Sequence, residues 1–246
     1  MKKSIIFIIC ICICIAAVAG CAQDGDTSPA SPSHSHNSWE IDPSVSPPPV
    51  EAPWERDPQG IPPPLYELKS NTIQATIKMK DGGLITLELY PDIAPQTVRN
   101  FVHLAKTGFY EGTKFHRIIK NFMVQGGGPK ENHAGDPGYA IWGEFEVNGF
   151  INQLDCSPGV IAMSRKATYN SAGSQFFIML GSSNDLGKDH AAFGIVIGGM
   201  DVVRKLGDTP NSGDDGAVAE RHMPVIESIT INDDVDLPLP EKIPLK

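Results

Sequence analysis

The stretch of this chain richest in chemistry runs Phe115-His116-Arg117-Ile118-Ile119-Lys120-Asn121-Phe122-Met123-Val124-Gln125-Gly126-Gly127-Gly128. It sets one permanently charged guanidinium among aromatic, aliphatic and thioether side chains and an amide, and it closes on three glycines. With residues 117–119 and 122–125 as short strands, side chains alternate between two faces. Phe115, Arg117 and Ile119 then share a face, and Met123 shares one with Gln125. An arginine beside Phe and Met is costly to bury unless its fork of donors is satisfied. The Gln125 amide oxygen can satisfy it. The same pattern also fits an arginine at a sheet edge with its stem laid over apolar neighbours.

Other arrangements offer less. Gly126-Gly127-Gly128-Pro129-Lys130 lacks the spacing of a phosphate-binding loop, and Pro129 does not open the helix such a loop needs. Ser174-Gln175 follows Gly173 without the flanking glycines of a nucleophile elbow. His116 and His190 are candidate bases, but no Ser or Cys stands with them in a nucleophile motif, so hydrolysis has no positive signal. Of five cysteines, Cys10, Cys12 and Cys14 fall in an apolar leader and Cys21 just after it. Cys156 is left alone, with no disulfide partner and no cluster to hold a metal. It reads as a packed or idle thiol, and no metal is expected.

The elements that must position Arg117 and Gln125 lie between residues 71 and 233. Alternation predicts strands over 73–79 and 84–89, joined by the turn Asp81-Gly82-Gly83. Pro95 suits a first helical turn, Val98, Phe101, Val102 and Ala105 recur at helical spacing, and Gly108 ends that helix. Short strands are expected over 159–164, 175–180, 192–197 and 225–231, with a second helix over 200–206. Many short strands and two separated helices predict a small closed barrel rather than βαβ units. The tail 234–246 is Pro-rich and is expected to be loose.

The N-terminus reads as an address. Lys2 and Lys3 precede the apolar run 5–18, whose 14 residues fall short of the roughly 20 needed to span a bilayer. Small residues follow, so 1–20 is taken as a secretory signal. Val18-Ala19-Gly20-Cys21 resembles the lipobox of bacterial lipoproteins, in which cleavage before Cys leaves its thiol to carry a diacylglyceryl group. Cys21 is thus the expected lipid anchor, and the protein is expected outside the cytoplasm, held on the cell membrane. Residues 21–70 hold 11 of the chain's 21 prolines with little apolar periodicity, and they read as a tether. Its upper reach is roughly 150 Å at about 3.1 Å per residue. His34 and His36 read as solvated spacer residues within it. The net charge is −9, and the chain without its first 20 residues sets 18 basic against 29 acidic side chains. Such an acidic chain has no electrostatic footprint for nucleic acid or for an anionic membrane surface.

Several separated motifs, in the same order, resemble cyclophilin-type peptidyl-prolyl isomerases. They are Phe115-His116-Arg117-Ile118-Ile119, Phe122-Met123-Val124-Gln125-Gly126-Gly127, Gly173-Ser174-Gln175-Phe176-Phe177-Ile178, and His190 with Phe193-Gly194. The likeness covers about 73–231 and includes the Ala94-Pro95…Asn100-Phe101 helix. It implies a mainly β fold, a closed eight-stranded antiparallel barrel capped by two α-helices, with the substrate groove on its outer face. Carried over, Arg117 is the catalytic guanidinium and Gln125 its partner and a substrate ligand. Phe122, Met123, Phe177 and Leu186 line the proline pocket, His190 closes one side, and Gln175 contacts the peptide. Ser164 and Arg165 fall where main-chain groups pair with substrate, so changing their side chains should cost little.

The resemblance also implies no cofactor, proline-containing peptide segments as partners, and a monomer assisting the folding of exported proteins. A lipid-tethered module that only binds Pro-containing segments is the alternative. The chain departs from the family at Asp185, where Trp is common, at Lys120-Asn121 in place of Pro-Gly, and in a 166–172 loop one residue longer. None of these touches the inferred catalytic atoms.

Overall fold

The computed structural model describes residues 71–130, 133–213 and 215–245. The predicted leader 1–20, Cys21, and the 21–70 tether with His34 and His36 lie outside the described residues. Strands β1 (Ile73–Met79) and β2 (Leu84–Leu89) follow the alternation of their sequences, with Ile73, Ala75, Ile77 and Met79 of β1 and Ile85, Leu87 and Leu89 of β2 buried. In the turn between them the Met79 N–H donates to the Gly83 carbonyl at 2.8 Å. Gly82 takes φ of 90° there, a region that a side chain resists.

The chain continues through α1 (Pro95–Lys106), β3 (Phe115–Ile119), β4 (Met123–Gly126), β5 (Tyr139–Ala140), β6 (Val160–Met163) and β7 (Phe176–Met179). Then come α2 (Asn184–Asp189), β8 (Ala192–Gly198), α3 (Met200–Gly207), β9 (Ile226–Ile231) and β10 (Ile243–Pro244). Eight strands form one antiparallel sheet in the order β3-β4-β7-β6-β8-β2-β1-β9.

The sheet curls but does not close, which corrects the predicted closed barrel. Its terminal strands β3 and β9 form no ladder, and their edges meet only at an isolated bridge between Lys114 and Val225. There Phe115 N–H donates to the Pro224 carbonyl at 2.9 Å and Ile226 N–H to the Thr113 carbonyl at 2.8 Å. Farther along, the outer edge of β3 is already occupied. Ile118 N–H donates to the Gly216 carbonyl at 2.7 Å, and Val218 N–H donates to the His116 carbonyl at 2.9 Å. These are the groups a closing strand would need. The helices differ too: α2 joins the two predicted ones. Its sequence Asn-Asp-Leu-Gly-Lys-Asp has no apolar period to betray it, and the Ser183 hydroxyl caps it by accepting from Leu186 N–H at 3.4 Å.

The core lies inside the curl. Phe101 of α1 meets Tyr110, Phe176 and Phe193 at ring separations of 5.3, 5.7 and 5.3 Å. Strands β6 and β7 are buried on both faces. Ile161, Met163, Phe176 and Ile178 join the inner core, while Val160, Ala162, Phe177 and Met179 pack outward with Met123, Leu154 and Cys156. That second layer is the floor of the candidate site.

Ala94 occupies the capping position before helix α1, and its methyl group cannot accept a hydrogen bond. Glu144 does so from a distant loop, accepting from the N–H groups of Gln96 and Thr97 at 2.8 Å each. Burial pushes its carboxyl up to about 7 against those two donors. The tail, predicted to be loose, lies on the domain instead. Val235 and Leu237 pack against the core, Glu241 N–H donates to Gln96 Oε1 at 3.0 Å, and β10 pairs with β5. The Lys242 ammonium sits 4.3 Å from the Tyr139 ring centroid. Prolines 238, 240 and 244 restrict this segment to extended backbone, the shape that a strand partner needs.

Candidate active site

A bulge at His116 decides which way Arg117 faces. Strands β3 and β4 pair Arg117 with Gln125, Ile118 with Val124 and Ile119 with Met123, but the register shifts between Phe115 and Arg117. The extra residue reverses the alternation. Phe115 turns into the core, fully buried, while Arg117 stays half-buried on the outer face beside Gln125. The predicted common face of Phe115 and Arg117 is corrected accordingly.

Arg117 is held from two sides. Its Nη1 donates to Gln125 Oε1 at 3.2 Å and its Nε to the Asp215 carbonyl at 2.9 Å. Gln125 Nε2 donates in turn to Ser164 Oγ and to Gln175 Oε1, both at 3.0 Å. Gln175 Nε2 donates to the Gly135 carbonyl at 2.6 Å. A guanidinium can only donate, so Gln125 must turn its oxygen to Arg117 and its amino group to Ser164 and Gln175. The network therefore has a fixed direction. Among the described residues, Arg117 Nη2 has no hydrogen-bond partner.

A cavity of about 260 Å³ opens beside this guanidinium, lined by Arg117, Phe122, Met123, Gln125, Ser164, Arg165, Phe177, Leu186 and His190. These predicted residues come from β3, β4 and the turn between them, from β7 and α2, and from the segments after β6 and α2. Gln175, also predicted, lies in an adjoining cavity of about 300 Å³ that shares Arg117, Gln125, Ser164 and Arg165. His190 stands edge-on to Phe177, with ring centroids 5.4 Å apart and planes at 82°. At the rim, Ser164 N–H is engaged by the Gln175 carbonyl at 2.9 Å. The Arg165 N–H and the Ser164 carbonyl have no partner among the described residues. Nor, among them, do three or more His, Cys, Asp or Glu side chains stand together as a metal site.

Sequence reasoning missed Asp215 and Gly135, which act through main-chain carbonyls and so leave no mark in residue type. One signal was available for the first. Gly213 and Gly216 take φ of 96° and 71°, and a Cβ on Gly216 would stand 2.5 Å from the Ile118 carbonyl oxygen. Glycines at these points bring the 211–218 loop against β3.

Comparison with known proteins gives a consistent result. The family model described as "Cyclophilin type peptidyl-prolyl cis-trans isomerase/CLD" matches residues 74–231. A "Peptidyl-prolyl cis-trans isomerase-like 1" of Neurospora crassa is 43% identical over 139 residues, covering 56% of this chain and 83% of that protein. A "Peptidyl-prolyl cis-trans isomerase-like 2" of Gibberella zeae is 36% identical over 152 residues, which are 60% of this chain but only 26% of that longer protein. A crystal structure of a Cryptosporidium parvum cyclophilin-type isomerase, solved in the presence of the dipeptide Ala-Pro, superposes with a TM-score of 0.57. Its identity is 26%, covering 65% of this chain and 99% of that one.

The site carries a pH prediction. Burial, reinforced by the Arg165 charge, pushes the His190 imidazole down to about 4. A depressed histidine contributes stability above its unfolded value near 6.5, and that contribution is lost as pH falls through 4. The His190 ring protons should titrate near pH 4 by NMR, and His190→Gln should lose less stability than the wild type between pH 6.5 and 4. Titration near 6.5 would contradict the burial argument.

Proposed function

This chain belongs to the cyclophilin-type peptidyl-prolyl cis-trans isomerase family, and on that premise we propose that it catalyses rotation about X-Pro peptide bonds through Arg117. The X-Pro bond resists rotation because the nitrogen lone pair is delocalised into the carbonyl, with a barrier of about 18–20 kcal/mol for a peptide bond. A donor aimed at the prolyl nitrogen favours its localised, pyramidal form in the twisted state. The observation that carries the reading is the Arg117 guanidinium itself. Two of its nitrogens are tied to Gln125 and Asp215, and it borders the cavity that Phe122, Met123, Phe177 and Leu186 also line.

In this reading Phe122, Met123, Phe177 and Leu186 grip the proline ring, and His190, neutral above about pH 4, bounds one side. The Arg165 N–H and Ser164 carbonyl pair with the peptide backbone. Gln125 holds Arg117 and reaches substrate. Rotation makes and breaks no covalent bond, so the help required is electrostatic and geometric. The Ala-Pro dipeptide used with the Cryptosporidium relative supports proline-containing segments as the ligands here too.

Arg117→Ala should lower turnover far more than peptide binding, because its contribution belongs to the transition state. The loss of one positioned donor is about 2.7–4 kcal/mol, or roughly 10²–10³-fold in rate. Arg117→Lys should recover little, since an ammonium cannot reproduce the planar fork. NMR exchange on a saturating X-Pro peptide reports both quantities in one sample. Wild-type exchange no faster than the free peptide, despite binding, would leave only a binding module.

We further propose that the domain works outside the cytoplasm as a monomer, anchored by lipid on Cys21, spaced off the membrane by residues 21–70, and assisting the folding of exported proteins. The support is sequence: the Lys2-Lys3 start, the apolar run, the lipobox-like Val18-Ala19-Gly20-Cys21 and the proline-rich spacer. Cys21→Ala should move the protein from the detergent to the aqueous phase on partitioning while its isomerase activity persists. Equal partitioning of wild type and variant, with the leader removed from both, would sink the anchor.

A further inference from the structure

The resemblance gives Arg165 a role for its main chain alone, yet its side chain is heavily engaged. Only 12% of that side chain is exposed. The guanidinium carbon sits 5.2 Å from the ring centroid of Phe145 and 5.4 Å from that of Tyr169. Nε donates to the Asp189 carbonyl at 2.7 Å, and Nη1 donates to the carbonyls of Lys166 and Ala167 at 3.0 and 3.4 Å. Nη2 stands 3.7 Å from Asp189 Oδ2.

One planar cation thus ties Phe145 and the C-terminal end of α2, both distant in sequence, to the 166–172 loop that directly follows it. What it holds matters for the site. Asp189 directly precedes His190, and α2 carries Leu186, so the segment pinned by Arg165 supplies two walls of the proline cavity. The 166–172 loop is tied to the same neighbour a second time, since Asn170 Oδ1 accepts from Gly143 N–H at 3.0 Å and from Asn148 Nδ2 at 2.8 Å.

We propose that Arg165 is a positioning residue for the substrate cavity, its side chain clasping α2 and the 166–172 loop together and so setting where His190 and Leu186 stand. The proposal rests on the isomerase reading of the cavity. It uses properties that only arginine combines: a delocalised cation that can sit against two aromatic rings and a rigid fork for carbonyls on either side. Because the pinned walls grip the proline ring in ground and twisted states alike, their displacement should weaken binding rather than slow the rotation of bound peptide.

The test uses the full chain, an X-Pro peptide titrated across its binding range, and NMR exchange to give KM and kcat separately. Arg165→Ala should raise KM roughly tenfold, the scale of losing one charge-assisted hydrogen bond, with kcat changed far less. Arg165→Lys keeps the charge but should behave as the alanine variant does. Tyr169→Ala, a substitution on an exposed loop residue that removes one of the two aromatic contacts, should raise KM to a smaller extent.

Unchanged KM in Arg165→Ala, or wild-type KM in Arg165→Lys, would overturn the clasp. If Arg165→Ala does not fold, unchanged KM in Tyr169→Ala overturns it. Wild-type exchange no faster than the free peptide would defeat the isomerase reading instead. The peptide dissociation constants from the same titration would then decide the clasp by the same comparison.

Discussion

A guanidinium set against Phe, Met and Leu side chains needs acceptors for its donors, and much of this fold is arranged to provide them. Arg117 gives one bond to an amide oxygen on the neighbouring strand and another to a carbonyl on the 211–218 loop. The amide is itself oriented by Ser164 and Gln175, so the first contact depends on β4, β7 and the end of β6 keeping register. The second depends on the loop that occupies the edge of β3. That loop has a structural consequence of its own. By taking the hydrogen-bonding groups of β3, it leaves the sheet curled rather than closed. The anchoring of Arg117 and the open edge have one cause.

The floor beneath the site owes its firmness to strands buried on both sides. Phe176 faces the inner aromatic cluster around Phe101, and its neighbour Phe177 faces the outer layer with Met123. A change in inner packing would move the outer face as well, because interiors are dense and transmit displacement. Above this floor the walls come from shorter elements, α2 and the 166–172 loop, which have little core of their own. Polar and cation–π contacts from Arg165 hold them where apolar burial does not. The site is thus a rigid base with walls secured by a charge.

Much of this was legible in the sequence. Ile73, Ala75, Ile77 and Met79 alternate because their strand has one wet face, and Val98, Phe101, Val102 and Ala105 repeat at helical spacing because α1 buries one side. The ordered motifs around Arg117, Phe122, Gln125, Phe177 and His190 marked residues that the fold gathers around one cavity. What stayed hidden has physical reasons. The bulge at His116 is a pairing event between two strands, not a residue preference. Carbonyl acceptors such as Asp215 and Gly135 are chemically identical at every position. Glu144 caps a helix 48 residues away from it in sequence, beyond the reach of any local signal. The tail has too few residues for a period, and its docking depends on a partner strand, β5, of only two residues.

The central claim is that Arg117 and Gln125 act as one unit, and a double-mutant cycle measures that directly. Exchange rates on a saturating X-Pro peptide would be taken for the wild type, Arg117→Ala, Gln125→Leu and the double variant. The account predicts strong coupling: once Arg117 is gone, losing Gln125 should slow exchange little further, because its main task was to hold the guanidinium. Independent, additive losses at the two positions would contradict it.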